Sequence, residues 1–254
     1  MRIRANNPSP MTLTGTNTYV IASVDDTSAV VFDPGPELAE HREAILAEVG
    51  DRRLTAIVLT HQHADHSEML GSVDEWAPEA PVFAVLDRFA HHTPPVRDGQ
   101  RIAFGSDPAD VLEVVATPGH TSDSISLLHD GVLFSGDTIL GEGTTIVTYP
   151  EGSLGDYLDS LDRLRALLDA GAYTRIEPAH GPTIDAPAEV IDHYRTHRQE
   201  RIGQVRGALA QGATTAAEVT DIVYHDVDPS VRGAAEQIVR AQLSYLGELS
   251  PEDQ

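Results

Sequence analysis

Three of the chain's 12 histidines fall within six residues, in Thr60-His61-Gln62-His63-Ala64-Asp65-His66. The stretch follows Leu54 to Leu59, an apolar run that predicts a buried strand. In an extended segment, side chains two apart share a face, so His61 and His63 can grip one ion together. Asp65 and His66 open the next predicted helix and can turn toward a second ion. Imidazole and carboxylate donors suit zinc, with iron and manganese as competitors. Asp65 and Glu68 also have the spacing of a capping box with Asp as the cap. Capping alone leaves three neighbouring histidines unexplained.

Three further candidates sit at turns after predicted strands: His120 in Thr117-Pro118-Gly119-His120, Asp137 in Phe134-Ser135-Gly136-Asp137, and His180 in Glu177-Pro178-Ala179-His180. Singly, each reads as a turn residue. Together they supply a third ligand for one ion, a bridging carboxylate and a third ligand for the other. The chain has no cysteine, which excludes thiolate metal sites, a Cys nucleophile and disulfides.

Strands and helices must bring these positions together. Short β-like runs are predicted at Tyr19–Ala22, Ala29–Phe32, Leu54–Leu59, Pro81–Leu86, Val111–Ala116, Ser124–Leu128, Val132–Phe134 and Tyr173–Ile176. Helices are predicted over Glu37–Val49, with Leu38, Ile45, Leu46 and Val49 as the apolar face, over Ser67–Trp76, and over Leu154–Leu168 on a leucine stripe. After Ile184 only helical patterns remain, at about 188–209, 216–224 and 231–246. The boundary is placed near residue 185, giving domains 1–185 and 186–254. Mixed elements of this kind predict sheets layered with helices.

Seventeen basic residues, all arginine, against 40 acidic ones leave a net charge of −23. A nucleic-acid coat or an anionic-membrane binder needs an exposed cationic face, and this balance argues against both. Residues 181–254 carry 6 Arg and 12 Asp plus Glu, so the C-terminal part is acidic too. Arg195, Arg198, Arg201 and Arg206 make one helix locally basic, and the expectation for them is a solvated or salt-bridged face. The N-terminus shows no apolar h-region and no run approaches the roughly 20 residues of a membrane helix, so a cytoplasmic protein without membrane association is expected.

Asp33 at a strand end, His61-Gln62-His63-Ala64-Asp65-His66, His120, Asp137 and His180, in that order, resemble the motifs of the metallo-β-lactamase-fold hydrolase superfamily. The resemblance covers roughly residues 11–185. It implies an α+β chain: an αββα sandwich with the site at one edge of the two sheets, followed by a small all-helical, winged-helix-like appendage. By this resemblance His61, His63 and His120 hold one metal, Asp65, His66 and His180 hold the second, and Asp137 bridges. Asp33 steadies the site without being a ligand. The closer resemblance is to the lactamase-beta-like protein 2 branch, through Thr14-Gly15-Thr16-Asn17-Thr18-Tyr19, Gly136-Asp137-Thr138-Ile139-Leu140-Gly141 and Tyr194-Arg195-Thr196-His197-Arg198-Gln199-Glu200-Arg201.

The activity so implied is hydrolysis of a small ester, thioester or lactone by a hydroxide shared between two zinc ions, with Asp65 orienting it and iron or manganese as possible substitutes. Two divalent ions facing two carboxylates and a hydroxide leave about one positive charge, so the small-molecule substrate can be anionic despite the acidic surface. The alternatives are an endoribonuclease acting on single-stranded RNA and a mono-iron persulfide-type dioxygenase.

Overall fold

In the computed structural model, which describes residues 1–228 and 231–253, the chain forms two five-stranded sheets. The first contains β1 (Arg2–Arg4), β2 (Asn17–Ala22), β3 (Ser28–Phe32), β4 (Arg53–Val58) and β5 (Val82–Phe83), in that spatial order. The second contains β6 (Arg101–Ala103), β7 (Val111–Ala116), β8 (Ile125–His129), β9 (Val132–Gly136) and β10 (Arg175–Pro178), ordered β10-β9-β8-β7-β6.

Period-two alternation sets the layers. Val30 and Phe32 of β3 and Ala56 and Val58 of β4 meet Leu112, Val114, Ile125, Leu127 and Phe134 of the other sheet, forming the inter-sheet core. Ala29, Val31 and Ile57 point the other way, onto α1 (Ala39–Val49) and the segment around Met69 and Val73. On the second sheet, Val115, Leu133 and Ile176 face α4 (Leu154–Asp169) and the first half of α5 (Pro187–Ala210). The result is helices, sheet, sheet, helices. Leu127 is fully buried in the central layer, and truncating it to Ala would cost about 2–5 kcal/mol.

The second half of α5 packs with α6 (Ala216–Val223) and α7 (Arg232–Leu246) through Val205, Ala208, Val219, Val239 and Leu243. One helix of about 36 Å thus reaches from the sandwich into the C-terminal helices. Among the described residues no strand follows β10. Among the same residues no helix is long and apolar enough to cross a membrane.

Four elements differ from expectation. On α1 the buried residues are His41, Ile45 and Val49, whereas Leu46 is exposed. The helix expected over Ser67–Trp76 is broken into α2 (Ala64–Ser67), a 3-10 turn (Glu68–Ser72) and α3 (Val73–Trp76). Gly35 causes the break: its N–H donates to the His66 carbonyl and its carbonyl accepts from Met69 N–H, so two groups of the helical ladder are diverted. Finally, β1 and β6 have no counterpart among the predicted strands; each is three residues long and lies at the outer edge of its sheet.

Candidate metal centre

The strand ends explain why the chemistry-bearing residues meet. β3 and β4 are parallel, as are β9 and β10, and β7 runs the same way as β9 across the antiparallel β8. The residues following β3, β4, β7, β9 and β10 therefore emerge on one edge of the sandwich: Asp33, His61, His120, Asp137 and His180. His63, Asp65 and His66 follow from the β4 exit, with His63 as the N-cap of α2. Asp65 is inside that short helix, and Glu68 accepts from Glu37 N–H, so the expected capping box does not form.

Seven residues fall into two adjoining groups. One ligand atom each from His61, His63, His120 and Asp137 lies within 4.8 Å of the others, and the same holds for Asp65, His66 and His180. In the first group His63 Nδ1 is 3.0 Å from both His61 Nε2 and His120 Nε2. In the second, His180 Nε2 lies 3.3 Å from Asp65 Oδ2 and 3.3 Å from Asp137 Oδ1. His66 Nε2 lies 3.3 Å from Asp65 Oδ2 and 3.5 Å from Asp137 Oδ1. Asp137 touches both groups, since its Oδ2 is 3.6 Å from His120 Nε2.

Partners behind the rings determine which nitrogen faces inward. His120 Nδ1 donates to the Ile146 carbonyl at 2.7 Å, and His180 Nδ1 to the Gly15 carbonyl at 3.3 Å. A carbonyl can only accept, so both rings carry a proton on Nδ1 and aim Nε2 at the centre. Asp33 Oδ2 takes the Nδ1 proton of His66 at 2.9 Å and the hydroxyl proton of Thr60 at 2.7 Å. The Thr60 hydroxyl, already donating, accepts from His61 Nδ1 at 3.1 Å. His63 Nε2 sits 3.3 Å from Glu151 Oε2. All five rings therefore turn their second nitrogen toward carboxylates and each other. Lone pairs facing lone pairs repel, and a buried cluster of this kind calls for protons or cations.

The electrostatics agree. Burial and the neighbouring His66 push His61 well below its ordinary pKa, and burial also lowers His120, so both stay neutral. Burial alone would lower His66, but Asp65, Asp33 and Asp137 outweigh it and hold the ring well above its usual range. Burial likewise opposes protonation of His180, yet Asp137 and Asp65 raise it to about 9. Asp65 and Asp137 should rise on burial; the facing His66 and His180 hold both far below the carboxylate range. Even so, His66 Nε2 and Asp137 Oδ1 are buried with no hydrogen-bond partner. Inward-facing imidazole nitrogens, two carboxylates and buried atoms without hydrogen-bond partners are a donor set that suits divalent metal.

Several positioning residues had no role assigned to them from the sequence. Thr16 Oγ1 donates to Asp65 Oδ2 at 3.0 Å. Asn17 ties the sheets together at the site, its amide donating to the Pro178 and Gly181 carbonyls and its N–H to the Ala179 carbonyl. Gly119 has φ +135°, and a Cβ there would stand 2.3 Å from Tyr157 Cα, so only glycine lets the His120 turn rest on α4. The loop carrying Ile146 is held from behind by α4 and α5. Tyr157 Oη donates to the Thr138 carbonyl, Tyr194 Oη accepts from Leu140 N–H, and the Arg198 guanidinium donates to the Thr145 carbonyl. Arg198 is 4% exposed and lies over the Tyr157 ring at 5.0 Å, which corrects the expectation of a solvated face at this position. Arg195 does pair on the surface, with Asp162.

A cavity of about 180 Å³ opens beside the centre, bounded by His120 and Asp137 at its inner end.

The family model of the metallo-beta-lactamase superfamily matches residues 11–173. A beta-lactamase-like protein 2 homolog of Caenorhabditis elegans is 36% identical over an alignment of 264 residues, spanning 96% of this chain and 83% of that protein. An atrochrysone carboxyl ACP thioesterase of Aspergillus fumigatus is 29% identical over 242 residues, 88% of this chain and 73% of that one. A crystal structure of a metallo-beta-lactamase family protein from Thermus thermophilus superposes with a TM-score of 0.77 at 24% identity, covering 98% of this chain and 93% of that chain, a likeness of fold.

Proposed function

The chain belongs to the metallo-beta-lactamase superfamily, and from that premise we propose that it is a dinuclear metal-dependent hydrolase of small esters, thioesters or lactones. The observation that carries this reading is that two buried atoms, His66 Nε2 and Asp137 Oδ1, have no hydrogen-bond partner in a cluster of imidazoles oriented from behind. His61, His63 and His120 would hold one ion, Asp65, His66 and His180 the other, with Asp137 between them. Zinc suits these donors, and iron or manganese can compete for them. When bound, such ions supply Lewis acidity, lowering the pKa of water to about 7 and polarising a substrate carbonyl.

The chain's own residues do the rest. Asp65, its Oδ2 fixed by the Thr16 hydroxyl, orients the attacking water by accepting one of its protons in a hydrogen bond. Asp33 and the Ile146 and Gly15 carbonyls hold the imidazoles in their inward-facing tautomers throughout. For a thioester the balance is one C–O bond formed and one C–S bond broken, water and acyl thioester giving carboxylic acid and thiol. The thioesterase name of the Aspergillus relative supports this substrate class.

Metal analysis of the purified protein, coupled to a panel of thioesters, lactones, phosphodiesters and RNA, tests the proposal. About two divalent ions per chain and turnover of a thioester or lactone are expected, with both lost in Asp137→Ala. Undiminished turnover in that variant would overturn the mechanism, and cleavage of RNA alone would move the assignment to an endoribonuclease.

A further inference from the structure

The cavity beside the centre has a character of its own. Pro10, Met11, Leu13, Leu140 and Ile146 contribute apolar side chains, Thr144 and Thr145 are polar, Glu142 and Asp137 are acidic, and no arginine lines it. Its inner end is His120 and Asp137, so a group seated in it is next to the reacting atoms. The segment bearing Met11 and Leu13 is built to stay in place. Ser9 Oγ and Thr12 Oγ1 bond each other at 2.9 Å, Thr12 Oγ1 donates to the Asn7 carbonyl, and Ser9 N–H donates to the Leu13 carbonyl at 3.2 Å. Leu13 is held at φ +56°, a conformation non-glycine residues seldom adopt. Yet the turn leaves Met11 57% exposed, one of few large apolar side chains so presented. A constrained backbone that displays an apolar side chain at the lip of a cavity adjoining the centre is explained by a ligand that covers it.

We propose that this cavity seats the acyl half of the substrate, as an uncharged apolar group of about six carbons. The volume sets the size: a cavity of about 150 Å³ lined by apolar side chains accepts benzene, and this one is about 180 Å³. Glu142 and the lack of a lining arginine set the charge preference, disfavouring acyl groups that end in a carboxylate. Leu140 and Met11 are thereby specificity-determining residues. The inference rests on the hydrolase reading above for its reaction, but not for the binding.

The test uses the metal-loaded, full-length protein with N-acetylcysteamine thioesters of acetate through decanoate and of succinate. A parallel arm measures calorimetric binding of the free acids. From acetyl to hexanoyl, kcat/KM is expected to rise about fourfold per methylene, then level or fall, with succinyl far below hexanoyl. Leu140→Ala should move the optimum to longer chains, and Met11→Glu should lower the hexanoyl-to-acetyl ratio about tenfold or more, at unchanged metal content. If no thioester is turned over but hexanoate still binds better than acetate, and Met11→Glu abolishes that preference, the reaction assignment falls while the acyl pocket stands. Flat dependence on acyl length in both arms, or variants that leave the hexanoyl-to-acetyl ratio unchanged, overturns the pocket.

Discussion

Asp33 Oδ2 accepts the Nδ1 proton of His66 at 2.9 Å, and this contact directs His66 Nε2 toward Asp65 and Asp137. The same carboxylate takes Thr60 N–H on its other oxygen, at 2.7 Å. One residue at the end of β3 therefore ties down the exit of β4 and orients an imidazole of α2.

Replacing it in Asp33→Asn should keep the bond to Thr60 N–H but present an amide donor to His66. The ring would then move its proton to Nε2, facing the centre, where it can no longer donate a lone pair. Metal affinity at the Asp65, His66 and His180 group is expected to fall about 10–100-fold. Competition against a chelating dye measures it, and wild-type affinity in a folded variant contradicts the role given to Asp33.

The metal-free chain should have a distinctive pH dependence. His180 is raised to about 9 in the folded state by Asp137 and Asp65, against about 6.5 when unfolded. Its contribution to stability is complete below about 6.5 and is lost as pH rises through about 9. Protein stripped with a chelator should therefore lose Tm from about pH 6.5 to 9.5. Divalent metal takes the place of those protons, so the loaded protein should lack this slope and release protons on binding. A flat Tm for the stripped protein over that window would count against the electrostatics described.

Arg198 acts on the centre from the far side of a loop. It donates to the Thr145 carbonyl, and the next carbonyl, that of Ile146, orients His120. Arg198→Met preserves the packing volume on Tyr157 but leaves the Thr145 carbonyl without its donor, a cost of about 1–3 kcal/mol. Weaker metal binding at the His120 group, of up to about tenfold, should accompany it, with Arg198→Lys intermediate. Isothermal titration with zinc or cobalt distinguishes this from a purely structural role, which would lower Tm and leave affinity unchanged.

Gly119 and Gly131 offer a matched comparison. Both have positive φ, but a Cβ at Gly119 would run into the Tyr157 backbone, whereas at Gly131 it would meet nothing within 4 Å. Gly119→Ala should destabilise by about 1–3 kcal/mol from the clash beyond a conformational cost that is already larger at φ +135° than at the φ +71° of Gly131, and should depress activity by moving His120. Urea unfolding of both variants reads the difference; equal destabilisation would show that the close approach to α4 is unimportant.

The strong local patterns are legible in sequence: the His61-to-His66 spacing after a strand, the strand-end turns at His120, Asp137 and His180, the leucine stripe of α4 and the helical C-terminal part. Each announces itself because side-chain type and period act over a few neighbouring residues. The edge strands β1 and β6 are not legible because three residues carry no period of their own; they exist by pairing with β2 and β7. The broken helix after Asp65 is hidden for a similar reason, since Gly35, some 30 positions earlier, supplies the competing backbone bonds.

Sequence alone determined which residue types could form the centre and the order in which the chain delivers them. Tertiary structure decided which of them share a group, which nitrogen each ring turns inward, and that Arg198 is buried behind the loop rather than solvated. The reason is that the groups making those decisions are backbone carbonyls of Gly15, Ile146 and Thr145, present in every residue and distinguished only by where the fold puts them.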